Sequence, residues 1–399
     1  MKVLQICHKP PFPPNDGGSI AMNNITFGLL EEACQVKVVS LNTKKHFVDI
    51  QNLPVDYKQK TQIELVNVDT SVKPLDAFVN LVFTNKSYNL SRFEQAVFEQ
   101  RLVSLLEKED FDMVIVESVF MNYYTRVIRE HSKAKILLRA HNVEFVIWQR
   151  LAEEENNFIK KKYLEILAKR LKREELLALN KFDAILTVSE HDKQEFRSHG
   201  CTKPIESIPI SMDVMKNFSL DNIKTEFPSV FFIGSLDWRP NQEGIEWFLR
   251  EVWQDLVKRY PDLRFYIAGR GDASWLETKS YRNIVLEGEI ANADEFFKSK
   301  AIMIVPLFSG SGMRVKIIEG MTLGKAIVST SVGAEGIEYE NNSNILIADT
   351  KKEYFQSICK LIDDRSFYNQ ISLAAMAHAS ELYSNKSISI KLLDFIEKL

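Results

Sequence analysis

Short, almost continuously apolar runs alternate with segments of helix length along most of the chain. In the first half the runs are KVLQIC (2–7), VKVVSL (36–41), MVIVES (113–118), KILLRA (135–140) and AILTVS (184–189). Strands covered on both faces of a parallel sheet read this way, because no position along them meets water. Helix-length segments lie between them at 17–34, 90–108, 119–132 and 157–181. The pattern then restarts with SVFFIG (229–234), RFYIAG (264–269), IVLEG (284–288), AIMIVPL (301–307), AIVST (326–330) and ILIAD (345–349), with a helix predicted over 241–260. Such alternation predicts parallel sheets with helices packed on their faces.

Two series of this kind in 399 residues predict two doubly wound α/β domains. The joint falls near KPIESIPISMDVM (203–215), which gives a first domain over 1–206 and a second over 207–383. The last 35 residues read as helices only, and no repeat or low-complexity segment is present. Ligands of open α/β sheets bind outside the carboxyl ends of the strands. The loops that follow the strands are therefore where chemistry is sought.

Composition narrows the classes. Lys and Arg number 51 against 54 Asp and Glu, a net charge of −3, so nothing global attracts nucleic acid. The four cysteines (Cys7, Cys34, Cys201, Cys359) are far apart and form no C-x-x-C, which points to free thiols in a reducing compartment. The seven histidines include no H-E-x-x-H, and no zinc site is expected. The N-terminus MKVLQICHKPPFPP is too short and too interrupted for a signal peptide. The apolar run AIMIVPLF (301–308) is well below the roughly 20 residues of a membrane span. A cytoplasmic protein is expected, with any membrane contact peripheral.

Four loops stand out. After the first strand, HKPPFPPNDGGSIAMNN brings Asp16, Gly17, Gly18 and Ser19 to a helix start. Bare glycines there let backbone amides approach an anion, or the stretch is a plain strand-to-helix turn with an N-cap. After KILLRA comes His141, at a strand's C-terminal end beside Asn142 and Glu144, and it reads either as a catalytic or as a structural histidine. After SVFFIG, the loop Ser235-Leu236-Asp237-Trp238-Arg239-Pro240-Asn241 leads into a helix, with Asn241 a candidate cap and Arg239 either turned to the interdomain space or packed on Trp238. The Gly-x-Gly of AGRGD (268–272) is a weak signal alone.

The fourth loop is FSGSG (308–312), followed by the predicted helix MRVKIIEGMTLG (313–324). Arg314 and Lys316 lie where helix N-termini usually attract acids, at a penalty of roughly 0.3–1 kcal/mol per cation. A bound di-anion offsets that penalty, and Glu319, more than a turn further on, can accept hydrogen bonds from sugar hydroxyls. An amphipathic helix with two solvated cations is the other reading. The stretch is not a Walker A loop, because GMTLGKA lacks both the four-residue gap and a Ser or Thr after Lys325.

Taken together, PPFPPNDGGS, RAHNVEF, ILTVSEHD, GSLDWRPNQEGIEWF and GSGMRVKIIEGMTLGKAIVSTSVGAEGI resemble the bacterial glycosyltransferases of family 4. The likeness runs from about residue 1 to 398. It implies the GT-B fold, two Rossmann-like domains facing across a cleft, with the terminal segment 384–399 returning as a helix to the first domain. It implies a retaining hexosyl transfer from a nucleotide-diphosphate sugar, with no bound metal and no cofactor, to a glycan or lipid-linked acceptor in polysaccharide or lipopolysaccharide synthesis. Glu319 matches the second glutamate of the family's Glu-x7-Glu pattern, which holds the ribose. The first falls on Ser311, so backbone amides around Ser311 and Gly312 are expected to contact the donor sugar. His141 matches the family's cleft histidine, near the transferred sugar. Gly17 and Gly18 match its first-domain glycine loop near the diphosphate, and Gly234 and Ser235 open the loop after the second domain's first strand. Arg239 and Lys316 are the candidates for neutralising the diphosphate, with Arg314 as alternate.

The only Asp-x-Asp, DFD (110–112), precedes its strand and so lies at the wrong end of the sheet for a metal site. A nucleotide-sugar epimerase of this fold has different loops, and a phosphorylase needs a pyridoxal lysine and a much longer chain. A degenerate, non-catalytic nucleotide-binding subunit remains the alternative, motivated by Ser311. The segment FIKKKYLEILAKRLKREELLAL (158–179) reads either as a basic amphipathic helix lying on anionic membrane, useful for a lipid-linked acceptor, or as a helix packed on its own domain with a solvated basic face.

Overall fold

The computed structural model describes residues 1–212, 223–277, 281–309 and 313–399. The chain divides into two compact units, Met1–Ser211 with Asn385–Leu399, and Met212–Ser384.

The first unit is built on a seven-stranded parallel sheet, order β3-β2-β1-β4-β5-β6-β7. Its strands are β1 (Lys2–Cys7), β2 (Gln35–Thr43), β3 (Glu64–Val68), β4 (Met113–Glu117), β5 (Lys135–Ala140), β6 (Ala184–Thr187) and β7 (Ile205–Ser207). Alternate residues feed two cores. Leu4, Ile6, Val114, Val116, Ile136 and Leu138 enter one, whereas Val3, Met113, Ile115 and Leu137 enter the other with Met22, Ile25 and Leu29 of helix α1 (Gly17–Glu31). The terminal helix Asn385–Glu397 belongs to this unit and buries Ile388 and Leu392 in the second core. It approaches α1 closely: a Cβ on Gly28 would lie 3.3 Å from the Asn385 carbonyl oxygen and would clash with the Ser389 hydroxyl.

The second unit holds a six-stranded parallel sheet, order β10-β9-β8-β11-β12-β13. Its strands are β8 (Val230–Ile233), β9 (Phe265–Ala268), β10 (Ile284–Gly288), β11 (Ile302–Val305), β12 (Ala326–Ser329) and β13 (Leu346–Ile347). Trp253, Phe248, Phe265 and Tyr354 pack at the centre of its core. The helical segment read over 241–260 begins earlier, at Arg239, and is interrupted: α-helix Arg239–Trp247 passes through a π-turn, Phe248–Trp253, into Gln254–Arg259. Lys351–Asp363, Arg365–Tyr383 and Asn385–Glu397 account for the helical end of the chain.

In both sheets the strand order reverses beside the first strand of the series, between β1 and β4 and between β8 and β11. These reversals leave a crevice at the carboxyl ends, because successive crossover helices leave the strand pair on opposite faces.

Candidate functional site

At the reversal in the first unit, three neighbouring strands each place one polar side chain on the face covered by α1. Glu117 ends β4, opposite Cys7 of β1 and Arg139 of β5 in register, and Gln5 lies two residues before Cys7. Glu117 is fully buried. One carboxylate oxygen, Oε1, accepts from Gln5 Nε2 at 2.8 Å, and Oε2 lies 2.7 Å from His141 Nε2. The guanidinium of Arg139, 1% exposed, stands 3.6 Å from Oε2 and donates from Nη1 to the Ala21 carbonyl at 2.8 Å. Burial alone pushes the Glu117 carboxyl up. The Arg139 charge and the hydrogen bond to His141 outweigh it and hold Glu117 below the usual carboxylate range. The site thus keeps a buried carboxylate ionised against one ring nitrogen of His141, which fixes the ring and leaves Nδ1 as its other polar atom.

His8, in the loop after β1, completes the group. Its Nδ1 lies 3.1 Å from the Glu117 carbonyl oxygen and its ring meets that of His141 edge-on at 6.0 Å. Burial, with the His141 charge second, lowers His8 to about 3, so it is a neutral ring at physiological pH. The chain turns sharply after Glu117, with Ser118 at φ 82°, a conformation that L residues adopt rarely and that concentrates at functional sites.

The glycine loop follows. Asp16 caps α1 in a capping box with Ser19 and grips Lys9, whose Nζ is 2.6 Å from Oδ1 and 2.8 Å from Oδ2. Gly17 and Gly18 open the helix, and a Cβ on Gly18 would come within 3.1 Å of the Lys9 ammonium. The cap reading of this turn and its exposure of bare backbone coexist.

The second unit places its own candidates at the other reversal. Gly234 follows β8, and Gly269 follows β9 at φ 149°, so close that a Cβ there would overlap the Gly234 carbonyl. This contact explains the Gly-x-Gly of 268–272: it is a crossing of two loops, reinforced by Leu236 N donating to the Arg270 carbonyl at 2.6 Å. Helix Val315–Thr322 starts after β11 with Arg314 as its N-cap residue. Lys316, partly buried, sends its ammonium to 4.2 Å from the Phe232 ring centroid and 3.5 Å from Asn241 Oδ1. A Cβ on Gly234 would lie 3.3 Å from the Lys316 ammonium. Among the described residues Lys316 forms no salt bridge, and burial, with the Arg314 charge second, lowers it to about 7. Ser235 bonds Asp237 through its hydroxyl, and Glu319 is partly buried one turn beyond Lys316.

Three details correct the sequence reading. Arg239 does not pack on Trp238. It begins helix Arg239–Trp247 with a side chain 78% exposed and pairs with Glu243 at 2.7 Å, an i,i+4 pair on the helix surface. Arg314 takes the place over Trp238, 5.4 Å from the ring centroid. Asn241 is not the cap: it lies inside the first turn, where its amide donates to the Ser235 carbonyl at 2.8 Å. Ser311 and Gly312 lie outside the described residues.

Sequence reasoning missed Glu117, His8 and Lys9. The signal for Glu117 was an acid closing the otherwise apolar run MVIVES. It also missed helix Glu144–Glu154, directly after His141. That helix has no capping side chain of its own; buried Glu175, 31 residues on, accepts from Glu144 N at 3.0 Å and Phe145 N at 2.9 Å.

Family models match most of the chain: Glycosyltransferase Family 4 over residues 16–215 and Glycosyl transferases group 1 over 227–364. The protein belongs to glycosyltransferase family 4. It is 24% identical over 403 residues to an uncharacterized 44.6 kDa protein in the cps region of Klebsiella pneumoniae, covering 97% of each chain. Among solved structures it resembles HepE of Anabaena in complex with UDP (TM-score 0.65, 13% identity, 100% of each chain). It also resembles sucrose-phosphate synthase of Thermosynechococcus elongatus (TM-score 0.68, 12% identity, 100% of this chain and 99% of the other). The fold is GT-B, and the protein is a glycosyltransferase.

Proposed function

We propose that the protein transfers a hexosyl group, with retention, from a nucleotide-diphosphate sugar to a glycan or lipid-linked acceptor in cell-surface polysaccharide synthesis, without a bound metal. The observation that carries this reading is Lys316: an ammonium at the start of a helix, lowered toward neutrality, with no carboxylate against it among the described residues. A cation held there in the empty protein is costly. A diphosphate offsets that cost, since its charge meets both the ammonium and the helix N-terminus. Structures resembling this one were solved with UDP, with UDP and glucose, and with UDP-glucose, which supports a nucleoside diphosphate as the bound group. The cps-region relative supports a polysaccharide product.

On this reading the bond between the anomeric carbon and the β-phosphate oxygen breaks, and charge grows on the leaving diphosphate. Lys316, Arg314 and the N-terminus of helix Val315–Thr322 stabilise that charge. His141, oriented by Glu117, contacts the transferred sugar. Gly17 and Gly18 are carried over from the family as further candidates for a diphosphate contact. The acceptor hydroxyl attacks the face the diphosphate leaves, and its proton passes to the departing β-phosphate oxygen. Exposed Arg239 is the weaker candidate for a phosphate contact. The protein works in the cytoplasm, at the inner face of the membrane where a lipid-linked acceptor is presented. Among the described residues no helix is long and apolar enough to cross a membrane.

Thermal shift with nucleoside diphosphates in EDTA tests the metal-free part. One of UDP, GDP or ADP at 100 times its dissociation constant adds about 2.7 kcal/mol of stability, and chelation leaves the shift unchanged. A shift abolished by EDTA and restored by a divalent cation contradicts metal independence. Glu319→Ala tests the ribose contact: nucleotide affinity falls by about 1.5–3 kcal/mol, the range for hydrogen bonds to a charged acceptor. Unchanged affinity in a folded variant, read by calorimetry, removes Glu319 from the site.

A further inference from the structure

Helix Pro74–Phe83 is amphipathic inside out. Leu75, Phe78, Val79, Val82 and Phe83 recur at i, i+3, i+4, i+7 and i+8, the spacing of a single helical stripe. In a globular helix such a stripe faces the core. Here these five side chains are 44–77% exposed, while Ala77 and Asn80 on the opposite face are the buried ones. The helix is not a loose arm. Arg170 of helix Phe158–Leu179 donates to the carbonyls of Asn80 at 3.1 Å and Leu81 at 2.9 Å, satisfying its C-terminal end with a cation. Arg173 donates to the Asn85 carbonyl, and Glu174 accepts from Ser87 N at 2.8 Å.

The supporting helix is equally informative. Leu167, Leu171, Ala178 and Leu179 face the core, so most of its length packs on its own unit. Its first turn does not: Phe158 and Ile159 are 71% and 81% exposed, followed by Lys160, Lys161 and Lys162. Segments 72–87 and 158–179 together carry nine Lys and Arg against four Asp and Glu, in a chain whose total charge is −3, although Lys160 pairs with Glu155 at 2.5 Å and Lys162 with Glu165 at 2.7 Å. An outward apolar stripe backed by net positive charge matches the boundary of an anionic bilayer, where apolar side chains enter the acyl region and cations meet headgroups.

We propose that helix Pro74–Phe83, with the Phe158–Lys162 turn, is a docking surface for an anionic membrane. This deepens the peripheral placement proposed above and gives it residues. A single amphipathic helix of this size holds the protein reversibly, which suits an enzyme that must meet a lipid-linked acceptor and let it go.

Co-sedimentation with phosphatidylglycerol–phosphatidylcholine vesicles and with phosphatidylcholine vesicles tests the proposal. The wild-type protein binds the anionic vesicles, binds the neutral ones more weakly, and is released by high salt. The Phe78→Ser/Phe83→Ser variant loses about tenfold or more in partitioning, because two large apolar groups no longer leave water. The Lys160→Gln/Lys161→Gln/Lys162→Gln variant binds the anionic vesicles only as weakly as the neutral ones, because the apolar stripe remains and the electrostatic attraction is gone. Phe78, Phe83, Lys160 and Lys162 are exposed, and half-buried Lys161 donates to the Glu153 carbonyl at 3.2 Å, a surface contact, so both variants keep the wild-type melting temperature and nucleotide shift. Wild-type protein that stays in the supernatant with both vesicles overturns the proposal, as do variants that sediment like wild type. So does a wild-type dimer, seen by light scattering, that Phe78→Ser/Phe83→Ser converts to monomer, since the stripe then covers a second copy. Vesicle binding is read without any donor, so its failure leaves the transferase reading intact, and absence of a nucleotide shift leaves the membrane result intact.

Discussion

Replacing Lys316 by alanine lowers turnover about a hundredfold, equivalent to roughly 2.7 kcal/mol of transition-state stabilisation, and leaves the empty protein as stable as before or slightly more so. The two halves of this expectation have one cause. As the glycosidic bond breaks, the leaving diphosphate gains charge, so a fixed cation beside it stabilises the transition state more than the bound donor. In the empty protein the same cation lies at a helix N-terminus, half removed from water, with Arg314 repelling it. Its proton is held less tightly than in the unfolded chain. Between about 7 and the ordinary lysine value the unfolded chain therefore binds more protons, and this residue makes stability rise with pH across that window. Lys316→Ala removes that rise. Nucleotide binding above neutral pH takes up a proton, visible as a dependence of calorimetric heat on buffer, because the diphosphate raises Lys316 again. Lys316→Arg keeps the charge and recovers part of the turnover. A variant that melts far lower with normal specific activity assigns Lys316 to packing instead.

Glu117→Gln has the largest expected effect on stability. Arg139 is buried, and the Glu117 carboxylate is its ion-pair partner; among the described residues the Arg139 Nε and Nη2 atoms have no hydrogen-bond partner. The amide keeps the shape of the carboxylate and removes its charge, so a buried guanidinium is left uncompensated, at a cost of about 3–5 kcal/mol. For a unit of this size that is roughly 10 °C in melting temperature. The sign with pH follows from the lowered folded value of Glu117. Its contribution is complete above the carboxyl value of the unfolded chain and is lost as pH falls through the lower folded value. The gap between wild type and variant is thus widest near neutrality and narrows in acid. Turnover falls as well, because the His141 ring loses the charge that orients it, and His141→Ala lowers turnover more than nucleotide affinity. Equal melting temperatures at pH 7 contradict the buried-pair account.

Much of the fold was legible because parallel strands buried on both faces are unmistakable apolar runs. The two strands that escaped are those without that property. β3, ELVNV, is an edge strand with polar residues between its apolar ones, and β7 is three residues long inside a segment read as the joint. Helix Pro74–Phe83 carried a readable stripe and a proline in its first turn, but no capping side chain marks its start. That its stripe faces outward is decided by Arg170, about ninety residues away. The cations at 314–316 could be read from local spacing. Which arginine covers Trp238 could not, since that is set by how the loop after β8 packs on the helix after β11. Glu117 was hidden for the same reason: its partners Gln5, Arg139 and His141 come from β1, β5 and the loop beyond β5, and only the sheet brings them together.

The claim that this chain is a working, retaining transferase rather than a nucleotide-binding subunit is tested most directly by slow hydrolysis of the donor without acceptor. The protein is incubated in EDTA with UDP-, GDP-, ADP- and CMP-sugars, and the released sugar is followed by proton NMR faster than it mutarotates. One nucleoside-diphosphate sugar is consumed, the free sugar first appears in the anomeric configuration it had in the donor, and Lys316→Ala slows its release about a hundredfold. Release of the opposite anomer contradicts retention, and no release from any donor, in a protein that still binds the nucleotide, contradicts the transferase itself.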